Sequence, residues 1–132
     1  MFVALILFSL YISFVDVCRH KISNRALLTI FISLLVLSAI TQAGVHPLSG
    51  LSIFLVAPLI LRAGIGAGDI KLFSVLAFFF IPLTWRMASD FLLSFTLISA
   101  ALLVIALVRS HSFDGSIALA PAICGAVIWC AR

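Results

Sequence analysis

The sequence predicts an all-α integral membrane protein of about six transmembrane helices, on three observations. Hydrophobic residues make up 65% of the 132 positions and charged residues 9%, against roughly 45–50% and 25% in soluble domains, so a water-soluble fold of this length could not hide its apolar surface. The apolar runs recur along the whole chain, whereas a secretory signal carries a single short one. Runs such as residues 1–15 and 91–108 do not alternate apolar with polar residues, which excludes the strands of an outer-membrane barrel and leaves helices to satisfy the backbone in lipid.

Polar punctuation divides the chain into six apolar segments, residues 1–17, 26–43, 48–61, 70–85, 91–108 and 117–131. Several fall short of the roughly 20 residues that span a bilayer core, so their ends lie in the interface or the bilayer thins around them. Pro58 and Pro82 fall inside the third and fourth segments, where a kink is tolerated if neighbouring helices cover the freed carbonyls. There is no internal repeat, linker or low-complexity tract, and residues 1–132 read as a single polytopic domain.

The formal net charge of +4 would point to nucleic acid in a soluble domain, but in a membrane chain it sets orientation. With the N-terminus outside, the inner loops hold Arg19, Lys21, Arg25, Arg62, Lys71 and Arg109, leaving Arg86 and Arg132 outside. That bias sets the orientation, while the apolar composition makes membrane lipid, and not nucleic acid, the expected surroundings. Cys18, Cys124 and Cys130 form no CxxC pair and read as small apolar residues, with no metal site and no cofactor expected.

There is no Glu, and the four Asp are residues 16, 69, 90 and 114. Asp16 closes the first apolar segment and Asp69 opens the fourth. Two crossings separate them, so both return to the cytoplasmic boundary, where an ionisable group is costly unless solvated or paired. Two carboxylates held about 3 Å apart around one water share a proton; one takes a proton from the attacking water while the other donates to a scissile carbonyl. The plainer reading makes each a helix-end anchor, Asp69 at the positive end of its helix dipole and Asp16 paired with Arg19 or Lys21. Gly66 and Gly68 favour the chemical reading, because residues without a Cβ let a substrate strand approach Asp69 closely. Close helix packing would also use such small residues. With 7 Gly and 4 Asp, chance produces a GxGD string in roughly one chain in a hundred.

Gly66-Ala67-Gly68-Asp69-Ile70-Lys71-Leu72 resembles the GxGDxKL signature of the type IV prepilin peptidases, membrane aspartic proteases also called leader peptidases. Asp16 followed by Ile22-Ser23-Asn24 resembles the family's other catalytic segment, with Ser23 where proline is usual. The stretch around Pro121, residues 118–125, is similar to the family's late proline-containing helix. These matches occur in the family's order. The resemblance implies a GxGD-type aspartic endopeptidase that removes the basic leader of prepilins or pseudopilins at the cytoplasmic face of the bacterial inner membrane, in pilus biogenesis and protein secretion. Asp16 and Asp69 would be catalytic, with Gly66, Gly68, Lys71, Ile22, Asn24 and Pro121 as motif or substrate-positioning residues. Larger members add zinc-binding paired cysteines and N-methylation. The chain begins directly in its first apolar segment, so neither is expected, and its size resembles the short members associated with tight-adherence (Flp) pili; the archaeal-type preflagellin enzymes are the other short group.

Asp114, in a loop also predicted inside, reads as a turn and helix cap, and Asp90 before Phe91 reads as a cap too. His20, His46 and His111 receive no role. Lys71 sets topology or tunes the adjacent carboxylate. The alternative from another class is a small non-enzymatic transporter or secretion-assembly subunit with the aspartates in an ion path.

Overall fold

The structure, a computed structural model, describes residues 1–19, 23–62, 66–110 and 119–132. Among the described residues it is all-helical: α1 Phe2–Arg19, α2 Asn24–Thr41, α3 Pro47–Arg62, α4 Ala67–Phe80, α5 Trp85–Ser110 and α6 Ala120–Cys130. Two of these, Asn24–Thr41 and Trp85–Val108 within α5, are long and apolar enough to cross a membrane; α1, α3 and α6 are shorter apolar helices. Ile22, Asp114, His20, Lys21 and His111 lie outside the described residues.

Each start has a local cause. The Ser23 hydroxyl accepts the Ala26 amide at 3.2 Å and caps α2, a bond that the proline usual at this place in the related motif has no side-chain oxygen to make. Pro47 begins α3, where its missing N–H is no loss. Thr84 caps α5 by accepting the Met87 amide at 3.3 Å. That cap begins α5 at Trp85, five residues before Asp90. Asp90 therefore lies inside the helix and is no cap; its carbonyl accepts the Ser94 hydroxyl at 2.7 Å. Pro58 stays within α3. Pro82 does not fall within α4, which stops at Phe80 because the residue before a proline is pushed out of the helical region. At the end of α2, Gln42 turns left-handed with φ 49° and donates back to Ser38.

The two central helices are α4 and α6. They pack on each other, and around them α2 and α3 lie on α4 while α1 and α5 lie on α6. Both are buried on more than one face: Ile70, Leu72, Ser74, Leu76, Ala77 and Phe79 on α4, and a run from Ala120 to Val127 on α6. The outward faces carry Leu, Ile, Val and Phe, for example Leu55 at 81% and Val108 at 74% exposure. A water-soluble monomer rarely leaves so much apolar surface open, and a bundle in lipid has no reason to cover it.

The joint between α3 and α4 is a close one. A Cβ on Gly50 would stand 3.1 Å from both the Phe78 Cβ and the Ser74 carbonyl oxygen. The Ser74 hydroxyl donates to the Gly50 carbonyl at 2.8 Å, and the His46 amide to the Phe78 carbonyl at 2.6 Å. A larger residue must push α3 away from α4. Gly50→Val is expected to destabilise the bundle by about 1–3 kcal/mol, read as a lower denaturation midpoint in detergent than Gly50→Ala gives.

Candidate functional site

The C-terminal end of α1 and the N-terminal ends of α2, α4 and α6 share one end of the bundle. Lys71 Nζ donates to Asn24 Oδ1 at 3.0 Å, and the Ala120 amide donates to Asp16 Oδ2 at 3.2 Å. Every described residue named from the sequence as a catalytic or motif residue lies at one of these helix ends.

Asp16 is the last member of a buried stripe. On α1 the buried positions are Leu5, Ser9, Ile12 and Asp16, successive positions of one helical face. At 6% exposure its carboxylate points into the bundle, not out to the interface as an anchor would. Its partner there is backbone, the first amide of α6, 104 positions away in the chain. Leu119, the cap position of α6, offers no side-chain acceptor to its own helix. Asp16 supplies one from across the bundle, and the positive end of the α6 dipole faces a carboxylate.

Asp69 sits in the first turn of α4 and is half-buried. Gly66 precedes that helix in an extended conformation, and its carbonyl accepts the amides of both Asp69 and Ile70, at 3.1 and 3.2 Å. The side chain folds back over this start: a Cβ on Gly66 would lie 3.1 Å from Asp69 Oδ2. The glycine thus makes room for the chain's own carboxylate, a reason the sequence did not reveal. Gly68 lies in the first turn beside it and is half-buried.

The two carboxylates are within electrostatic range of each other, and buried Cys124, one turn into α6, is within range of both. Asp69 also borders a cavity of about 240 Å³ walled by Phe73, Phe91, Phe95, Leu119 and Ile123 among others. Phe91 stacks on Phe73 at 4.3 Å and on Phe95 at 5.8 Å between ring centres, giving the cavity one aromatic wall. Leu119 joins the two halves of the site: it lines the cavity that Asp69 borders, and the next residue, Ala120, holds Asp16. Among the described residues no cluster of three or more His, Cys, Asp or Glu could hold a metal ion.

Lys71 and Asn24, one from each sequence motif, meet each other directly. They fasten the start of α2 to the start of α4, so the ammonium serves a tie between helices. Pro121 occupies the first turn of α6. Ser23 and the Ala120 amide are the parts of the site that residue types alone do not announce; the only pointer to the second is Pro121, which marks where α6 begins. In a double-mutant cycle, Asn24→Ala and Lys71→Met are expected to show a coupling of about 0.5–1 kcal/mol in detergent stability, as one hydrogen bond near the surface contributes.

No curated protein and no solved structure matches the chain. A family model matches residues 3–130, nearly its whole length, and by that match the chain belongs to the type IV leader peptidase family.

Proposed function

We propose that this leader peptidase is an intramembrane aspartic endopeptidase, in which Asp16 and Asp69 activate one water to cut the basic leader from prepilin-like substrates. The observation that carries the reading is the convergence of two carboxylates, from the end of α1 and the start of α4, within electrostatic range at one end of an otherwise apolar bundle.

In the reaction, one carboxylate accepts a proton from water as its oxygen attacks the scissile carbonyl, and the other, protonated, donates to the carbonyl oxygen. Collapse of the tetrahedral intermediate breaks the C–N bond, and a proton returned from the pair leaves with the amine. The pair acts as a unit in which neither role is assigned to one residue. The scissile glycine lies extended beside Gly66 and Gly68, where the start of α4 is open to it. The cavity next to Asp69 offers an apolar wall to the helix that follows the leader. Lys71, Asn24 and Pro121 act by holding the ends of α2, α4 and α6, and Ile22 belongs to the same motif as Asn24.

The chain crosses the bacterial inner membrane six times with its N-terminus outside, and the aspartates work at the cytoplasmic face. Support comes from the six helices among the described residues, the outward apolar faces and the excess of Lys and Arg in the loops assigned to the inside. The substrate is a prepilin or pseudopilin of the tight-adherence (Flp) kind.

Asp16→Asn and Asp69→Asn are each expected to abolish leader removal from a co-expressed prepilin, followed as a mobility shift on a gel. Processing at the wild-type rate in both variants would remove the pair from the reaction. Gly66→Ala is expected to leave the melting temperature within a degree or two of wild type while lowering kcat severalfold. The added methyl would stand 3.1 Å from Asp69 Oδ2 and press the carboxylate aside, and misplacement of a reacting group by about 1 Å costs up to a hundredfold.

A further inference from the structure

Among the described residues, the first turn of α6 has a complete hydrogen-bond account. The amides of Ala122 and Ile123 both go to the Leu119 carbonyl, at 3.0 and 3.1 Å. Pro121 has no N–H to give. The Ala120 amide is the donor left over, and it goes to Asp16 Oδ2 at 3.2 Å in a fully buried setting. An ordinary helix start leaves several amides for water or a capping side chain. This one is arranged so that a single amide remains, aimed at one carboxylate on another helix.

We infer that the N-terminal turn of α6, through the Ala120 amide and with Pro121 setting its geometry, is a positioning element of the active site that fixes the Asp16 carboxylate against Asp69. This rests on the aspartic pair proposed above. Three observations support it. Ala120 is 0% exposed, so water does not replace the donor. Proline locks its own φ near −65°, which suits the first helical turn, and its ring narrows the backbone freedom of Ala120 before it. Leu119 and Ile123, on either side of that amide, line the cavity that Asp69 borders, so the element that orients Asp16 also shapes the space beside its partner. The amide donates only to a lone pair. It therefore keeps one side of Oδ2 as an acceptor and sets the plane in which the rest of the carboxylate meets water. α6 carries no acid or base beyond its thiols and acts through Asp16, not on the substrate.

The test replaces single amides by esters in the full-length protein, incorporating lactic acid at position 120 or, as a control, at position 122. Both changes keep the methyl side chain and delete one N–H from the same turn of the same helix, but only the first touches Asp16. The probe is a detergent-solubilised synthetic peptide with a basic leader, a glycine and an apolar stretch. With Ala120→lactate, kcat is expected to fall about ten- to a hundredfold, as loss of a hydrogen bond to a charged group implies, with KM within twofold of wild type. With Ala122→lactate, kcat is expected to stay within about threefold. Equal losses in the two esters, or a fall at position 120 matched by a lower melting temperature and a raised KM, would show a merely structural bond and overturn the inference. So would an unchanged kcat at position 120. Asp16→Asn assayed alongside separates the two levels: if it still cleaves the peptide, the aspartic pair itself fails, whereas an inactive Asp16→Asn beside a fully active ester variant removes only the positioning role.

Discussion

A carboxyl group inside an apolar bundle is stable only where partners meet it, because a polar group taken out of water without partners loses solvation that nothing else in lipid replaces. Asp16 is such a group, and the donor that meets it belongs to another helix. That one bond couples three things. It gives α6 the acceptor that Leu119 cannot provide. It sets how far along α1 the start of α6 can sit. Because α6 packs on α4, it also sets the level at which Asp69 faces Asp16.

Small residues do the complementary work on α4. Gly50 lets α3 close on it, with Ser74 and His46 tying the two backbones, and Lys71 fastens its first turn to α2. With its height and rotation held from two sides, α4 presents Asp69 from a first turn in which Gly66 leaves space for the carboxylate to fold back. The two acidic side chains are thus placed by different means. Asp16 is held by an acceptor–donor contact at its tip, and Asp69 by the rigidity of the helix start beneath it.

Much of this is legible in the residues, and the rest is missing for definite reasons. The helix count follows from the apolar runs, since each run must be helical in lipid. Element boundaries follow less well. Pro82 ends α4 because the preceding residue leaves the helix, and Thr84, two positions on, restarts the chain; an apolar window blurs both events into one longer segment. The same blur puts Asp90 at a helix start when it lies inside α5. The GxGD string marks Asp69, but not that Gly66 serves the side chain three residues later. For Asp16 a periodic reading was available: Leu5, Ser9 and Ile12 define a face, and Asp16 continues it, which already argues for a buried group. The Ala120 amide is marked in residue types only indirectly, by Pro121 beside it, because a backbone donor belongs to every residue except proline. Its importance appears only when the other amides of its turn are accounted for.

The two aspartates differ in what each holds besides its place in the proposed pair. Among the described residues the side chain at position 69 makes no hydrogen bond to a second helix, while position 16 completes the start of one. In a lineage that lost peptidase activity, position 69 would drift freely, whereas position 16 would stay under selection for any short side chain with an oxygen to accept the amide, Asn or Ser among them. A degenerate copy of this fold would then be recognised by a polar residue at the end of its first buried stripe and an unrestricted one at the start of its fourth helix, a fossil of the architecture outliving the chemistry.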